Sequence, residues 1–246
     1  MSPAGLPGPY NAAMQSLNLI QMLAVWVPPA LLAITLHEVA HGWAARALGD
    51  RTAEMLGRLS LNPIKHVDPV GTILVPAAAL FLTGYIFGWA RPVPVAMRNL
   101  RNPRRDMALV AAAGPLSNLA MALGWALIAA IGAGIGTGLD NLGSLMLMMG
   151  VAGVLANVLL AVINMIPVLP LDGGRVLNGF LPPRASDTFE RIEPYGMWIV
   201  FALLISGIAS PLIGPVIGIG VYGIPALFGI PPADTSGILN LILPPR

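Results

Sequence analysis

The chain has no cysteine, only three histidines and few charged side chains, and each shortage narrows the class of protein it can be. Without cysteine it has neither disulfides nor thiolate ligands, so a zinc site would need His, Asp, Glu or water. Charged residues make up 10% of the 246 residues, against about 25% in a typical soluble domain. Hydrophobic residues make up 56%, and the mean hydropathy is +0.78. This composition indicates an integral membrane protein.

The sequence predicts an all-α polytopic membrane protein. Its apolar runs, each long enough for about 20 residues of helix across a bilayer, are 19–48, 70–89, 108–135, 144–166 and roughly 195–230. The last run is long enough for two passes and contains Gly and Pro near Ser206, which favours a break there. We expect 1–18 to be an exposed N-terminal segment, 19–230 the membrane domain, and 231–246 an exposed, poorly ordered, Pro-rich tail.

The basic residues form three groups between the apolar runs, at 46–65, 91–105 and 175–191. Although the pI is near 9.4, this placement indicates positive-inside topology and no nucleic-acid partner. All three groups can be cytoplasmic only if 70–89 enters and leaves on the same side. The Pro92-Val93-Pro94 sequence that follows cannot continue a helix, so we predict a re-entrant element at 70–89.

The sequence His37-Glu38-Val39-Ala40-His41 is an H-E-x-x-H pattern inside the first apolar run. On a helix, His37 and His41 lie one turn apart on the same face and can bind one zinc ion. Glu38 is rotated by about 100° and can act as general base on water at the open metal position. Because an ionisable cluster within a membrane needs a compensating partner, the pattern favours a metal site. A polar network between helices without metal is the alternative.

A third ligand must come from elsewhere, and Asp172 is the best candidate. It follows Asn164-Met165-Ile166-Pro167-Val168-Leu169-Pro170-Leu171, at a helix-breaking, Gly-rich junction before Gly173. With a re-entrant 70–89, His41 and Asp172 both lie toward the cytoplasmic side. Helix capping or a turn role remains the alternative for Asp172.

Together these motifs resemble the site-2 protease family of intramembrane zinc metalloproteases. The resemblance rests on His37 to His41 and on Asn164-x-x-Pro167-x-x-x-Leu171-Asp172-Gly173. It is supported by Ala113-Gly114-Pro115-Leu116-Ser117-Asn118 and by Gly88 to Val95, which is similar to short bacterial and archaeal members. It covers about 19–183 and leaves no room for a PDZ domain.

The resemblance implies a three-helix catalytic core with additional C-terminal helices and a small re-entrant or β element. It implies one Zn²⁺ held by His37, His41 and Asp172, with Glu38 as general base, in a prokaryotic cell membrane. The expected activity is hydrolysis of peptide bonds in or near transmembrane segments of protein substrates within the lipid bilayer. The alternating residues 55–61 suit a strand that would hold an unwound substrate.

Other residues and other functions stay open on the sequence alone. Asn164 and Asn118 are candidates for substrate binding or for orienting the site, but hydrogen bonding between helices explains each equally well. His66 is expected to be a loop residue and not a ligand. The alternative functions are a metal-binding membrane transporter or sensor, and a catalytically silent scaffold.

Overall fold

The computed structural model describes residues 17–66, 68, 71, 91–136 and 142–243, and within these ranges it contains helices and no β-strand. This confirms the predicted all-α class. The α-helices, numbered in chain order, are α1 (Leu19–Ala47), α2 (Thr52–Met55), α3 (Pro103–Ile135), α4 (Leu142–Asn164), α5 (Asp172–Phe180), α6 (Pro183–Glu190), α7 (Glu193–Ile205), α8 (Ser210–Leu227) and α9 (Pro232–Ile242). Short 3₁₀ turns cover Pro63–His66 and Met97–Asn99.

Four of the described helices, α1, α3, α4 and α8, are long and apolar enough to cross a membrane. They fall on four of the predicted apolar runs. The break expected near Ser206 separates α7 from α8, and α7, with 13 residues, is shorter than the roughly 20 needed for a span. The predicted re-entrant element at 70–89 lies outside the described residues, apart from Gly71. The chain is an integral membrane protein.

The chain divides into two compact units. One comprises Met1–Ala33, Asn118–Ile163 and Phe201–Arg246 within the described ranges. Its core is built from small and β-branched residues of α3 and α4 that pack around Trp125. Gly153 lies directly against the Trp125 ring, so close that a Cβ at this position would overlap the indole carbons. Small residues at such positions let membrane helices approach closely.

Buried amides join three helices of this first unit. The side-chain NH₂ of Asn118 donates to Asn157 Oδ1 at 2.8 Å and to the carbonyl oxygen of Ala33 at 3.3 Å. Asn157 in turn donates to the carbonyl oxygen of Gly153 at 2.9 Å, and both asparagines are fully buried. Through these hydrogen bonds Asn118 connects α1, α3 and α4.

The expectation of an exposed, poorly ordered tail from residue 231 is wrong. Pro232 to Ile242 form α9, which buries Ile238, Leu239 and Ile242 in the core of the first unit. The indole N–H of Trp26 donates to the carbonyl oxygen of Ile242 at 3.0 Å. Proline at the start of a helix costs nothing, since its missing N–H would have no partner in the first turn.

The second unit comprises Ile34–Ser117 and Asn164–Val200 within the described ranges. The strand suggested for residues 55–61 is absent. Thr52 to Met55 form α2, and Gly57 adopts a positive φ of 63° that reverses the chain. The N–H of Gly57 donates to the Glu54 carbonyl, and that of Arg58 donates to the Ala53 carbonyl. These N–H groups therefore close the end of α2 and are not available for pairing with a neighbouring strand.

Asp50 holds the segment 91–96, which has no regular secondary structure, beside the end of α1. Its carboxylate accepts hydrogen bonds from the backbone N–H of Ala96 at 2.7 Å and from the amide of Asn99 at 2.9 Å. It also accepts from the Thr52 backbone N–H at 3.0 Å, at the start of α2. Burial raises the pKa of Asp50, but these hydrogen bonds outweigh it and lower the pKa below its ordinary value. The buried carboxylate therefore fixes the segment that follows the undescribed residues.

Candidate metal centre

The second unit brings His37, His41 and Asp172 together. The two histidines lie one turn apart on α1, both are buried, and their Nε2 atoms are 3.1 Å apart. Oδ2 of Asp172 lies 3.2 Å from His37 Nε2 and 3.3 Å from His41 Nε2. The three predicted ligands thus present one atom each to a common point.

Asp172 reaches this point because α5 begins there. Pro167 and Pro170 cannot continue α4, and the turn that they form ends at Leu171, whose carbonyl accepts the Arg175 N–H at the start of α5. A Cβ at Gly173 would overlap the Met165 carbonyl, so only glycine lets the turn pack on the first residues of α5. This glycine allows the chain to return the carboxylate to α1.

The spacing of the three atoms fits a tetrahedral zinc ion. Zinc bonds to His nitrogen and carboxylate oxygen are about 2.0–2.1 Å long, so ligand atoms of a regular tetrahedron lie about 3.3 Å apart. The separations here are 3.1, 3.2 and 3.3 Å. Three protein atoms then occupy one face of the tetrahedron and leave its fourth corner open.

The carboxylate oxygen has an unusual environment that the same ion explains. Oδ2 of Asp172 is buried without a well-formed hydrogen bond, although two imidazole nitrogens lie within 3.3 Å of it. Burial raises the pKa of Asp172, but the neighbouring His37 and His41 outweigh it and lower the pKa to about 2. A buried, ionised oxygen that points between two nitrogens has the environment expected of a metal ligand.

A backbone carbonyl orients His41. The carbonyl oxygen of Val110 on α3 lies 2.7 Å from His41 Nδ1. A carbonyl can only accept, so Nδ1 carries the proton and Nε2 keeps its lone pair for a ligand. Such partners of the second ring nitrogen fix the tautomer and the ring direction in metal sites.

Another backbone group holds Glu38. The Val93 N–H, within the segment 91–96, donates to Glu38 Oε2 at 2.8 Å. Pro92 and Pro94 on either side have no N–H, so Val93 supplies the donor at this point of the segment. The carboxylate is therefore fixed at the wall of the same cavity as the three candidate ligands.

Gly114 on α3 lies against the ligand edge of both imidazoles. A Cβ at this position would be 2.5 Å from His41 Cε1 and 2.7 Å from His37 Cε1. Any side chain would therefore displace the two rings. The sequence marks Gly114 only as part of an Ala-Gly-Pro motif, and neither it nor Val110 nor Val93 carries a chemical signal of its own.

A cavity of about 170 Å³ opens beside the candidate ligands. Its wall combines apolar side chains with the candidate site residues and one cation, and it is formed by His37, Glu38, His41, Pro92, Val93, Val95, Met107, Val110, Ala111, Asn164, Pro170, Leu171, Asp172 and Arg175. Asn164 therefore lies at the cavity, whereas Asn118 belongs to the helix junction of the first unit. His66 is buried and its Nε2 lies 2.8 Å from the Ser60 carbonyl oxygen, so it is not among the three grouped ligands.

The known proteins that this chain resembles are named as zinc metalloproteases. The model of peptidase family M50 matches residues 137–207. A protein of Bacillus subtilis named "Putative zinc metalloprotease YwhC" is 35% identical over 85% of this chain and 93% of its own length. Two proteins named "Putative zinc metalloprotease Rip2" are 27% and 30% identical. The one from Mycolicibacterium smegmatis aligns over 76% of this chain and 67% of itself, and the one from Mycobacterium tuberculosis over 86% and 75%. No solved structure matches the chain.

The fold and these similarities define a membrane metalloprotease, and its ligand group and its relatives both indicate zinc as the cofactor. The chain belongs to peptidase family M50, the site-2 protease family.

Proposed function

We propose that this protein is an intramembrane zinc endopeptidase that cleaves peptide bonds in or near transmembrane segments of membrane proteins, as in regulated intramembrane proteolysis. The observation that carries the proposal is the triangle of His37, His41 and Asp172 atoms, 3.1–3.3 Å on each side, beside a fixed glutamate. Neither a polar network between helices nor a helix cap requires these three atoms to converge on one point.

His37 Nε2, His41 Nε2 and Asp172 Oδ2 would hold the ion. Bound there, zinc would supply a Lewis acid that lowers the pKa of water to about 7 and polarises a carbonyl group. The Val110 carbonyl keeps the proton of His41 on Nδ1, so the lone pair of Nε2 stays available to bind the ion. Asp172 contributes the negative charge that a buried divalent ion requires.

Glu38 moves the protons of the reaction. Its carboxylate takes a proton from the attacking water as the new C–O bond forms, and returns it to the amide nitrogen as the C–N bond breaks. The hydrogen bond from the Val93 N–H leaves the second carboxylate oxygen to do this. Asn164 also lies at the cavity wall, and we assign to it a hydrogen bond to the substrate backbone.

The substrate has to arrive unwound, since the peptide bonds of a transmembrane helix are shielded by their own hydrogen bonds. The apolar wall of Pro92, Val93, Val95 and Pro170 suits the side chains of a membrane-derived segment.

We further propose that the metal centre faces the cytoplasm of a prokaryotic cell. Of the 13 basic residues of the chain, 12 belong to the compact unit that contains the centre, and Arg246 is the exception. By the positive-inside rule a unit so rich in Lys and Arg lies on the cytoplasmic side.

The decisive experiment compares the wild type with Glu38→Gln in purified protein and a model transmembrane substrate. Glu38→Gln should retain about one zinc per chain and lose at least about 100-fold in cleavage rate, the scale of a removed general base. Glu193→Gln, at an exposed glutamate on α7, is the matched control and should cleave normally.

Cleavage by Glu38→Gln at the wild-type rate would refute the assignment. Zinc uptake into vesicles that depends on His37 but is not accompanied by proteolysis would instead support a transporter. Bound zinc without proteolysis or uptake in the wild type would support a silent scaffold.

A further inference from the structure

Among the described residues, Arg175 is the only Lys or Arg at the cavity wall, and the proposed reaction leaves it without a role. It lies on α5, three residues after Asp172 and thus on the same face of the helix. Its backbone N–H already closes the first turn of α5 on the Leu171 carbonyl, so its position is fixed relative to the ligand. Its side chain is half-buried.

Arg175 has no anionic partner within the described part of the chain. Arg46, Arg51 and Arg104 each lie within 4.0 Å of a carboxylate, but no such ion pair includes Arg175. Its side-chain contact is with Met107 Sδ at 4.0 Å, and a thioether is a weak acceptor. A guanidinium has five N–H donors, so this one retains donors for a group that enters the cavity.

The charges at the wall indicate what that group is. Two carboxylates, Glu38 and Asp172, share the cavity with Arg175, and a divalent ion would leave one positive charge in excess. During hydrolysis the water oxygen bonds to the carbonyl carbon, its proton passes to Glu38, and the carbonyl electron pair moves onto the oxygen. Negative charge therefore develops on the substrate carbonyl oxygen, where a fixed donor directed at that oxygen is most effective.

We propose that Arg175 binds the carbonyl oxygen of the scissile peptide bond and stabilises the negative charge that forms there. The inference rests on the proposed protease function. Donors of this kind contribute more to the transition state than to the bound substrate, because the charge exists only in the former. Arg175 is then a catalytic residue, and its effect is on kcat.

The test uses the full-length enzyme in detergent with a model transmembrane substrate, and compares Arg175→Gln, Arg175→Lys and Arg184→Gln. Arg175→Gln should lower kcat about 100- to 1,000-fold, as for other removed oxyanion donors, and change KM by less than about threefold. Arg175→Lys keeps the charge and should recover part of kcat. Arg184→Gln removes an exposed arginine of α6 and should behave as the wild type.

Two further measurements exclude a structural effect. Zinc content should be the same in all variants, and the thermal unfolding midpoint of Arg175→Lys should match that of the wild type. In the inactive Glu38→Gln background, adding Arg175→Gln should leave the Kd of the uncleaved substrate within about threefold, since ground-state binding is not affected.

A normal kcat in Arg175→Gln would overturn the inference, as would a raised KM with unchanged kcat, which indicates binding of an acidic substrate side chain. Arg175→Lys no faster than Arg175→Gln, with zinc retained, would also overturn it. These results differ from failure of the proposed function, in which the wild type itself does not cleave or Glu38→Gln cleaves normally.

Discussion

Replacing Gly114 with alanine should weaken metal binding while it stabilises the helix that carries the residue. In the middle of a helix, alanine is favoured over glycine by about 0.5–1 kcal/mol. The added Cβ, however, would be 2.5 Å from His41 Cε1 and 2.7 Å from His37 Cε1. Helix stability and metal affinity should therefore change in opposite directions.

The size of the effect follows from these distances. Carbon atoms in contact are separated by about 3.5–4.0 Å, so each ring, or the helix opposite, must move by roughly 1 Å. Metal sites tolerate deviations of about 0.2 Å in ligand distances. Disturbing even an outer partner of a ligand lowers metal affinity about 10- to 100-fold, and Gly114→Ala disturbs two of three ligands, so we expect at least that loss.

The assay is competition for zinc between the purified protein and a chromophoric chelator, with cleavage of a model substrate measured in parallel. Gly124→Ala is the matched control, since Gly124 lies on the same helix and a Cβ there meets no atom within 4 Å. Gly124→Ala should bind zinc as the wild type does. A zinc affinity of Gly114→Ala within twofold of this control would refute the geometry described for His37 and His41.

Two further predictions concern the surroundings of the site. The folded-state pKa of Asp50 is below its ordinary value, so its carboxylate adds stability above about pH 3.9 that is lost as the pH falls through the folded-state pKa. Between pH 5 and pH 3 the thermal unfolding midpoint of the wild type should therefore fall by more degrees than that of Asp50→Asn. Equal decreases would contradict this. Because the chain has no cysteine, Arg184→Cys gives a single thiol. A membrane-impermeant maleimide should label Arg184→Cys in inside-out vesicles and not in intact cells, and labelling in intact cells would contradict the cytoplasmic placement.

The parts of the site that could be predicted are those set by local spacing. The spacing of four positions from His37 to His41 brings their imidazoles together on any α-helix. Asp172 could be predicted as a partner because Pro167 and Gly173 require the chain to turn there. The contact of Gly114 with both rings depends on how α3 packs on α1, and no spacing along the sequence encodes it.

The two wrong predictions have local physical causes. Alternation at 55–61 suggested a strand, but Asp50 accepts the Thr52 N–H at the start of α2, and Gly57 ends that helix. Proline near residue 231 suggested disorder, although proline is favoured in the first turn of a helix, and the apolar residues of α9 then pack into a core. In both segments the effect of a residue type depends on its position in the helix.

The two groups that orient His41 and Glu38 are main-chain groups, the Val110 carbonyl and the Val93 N–H. A side-chain substitution cannot delete the carbonyl, and only proline would remove the N–H. Both hydrogen bonds can therefore persist while the side chains at 93 and 110 change through evolution. A comparison of sequences would then mark His37, Glu38, His41 and Asp172 as the whole machinery, although the backbone at positions 93 and 110 is equally part of it.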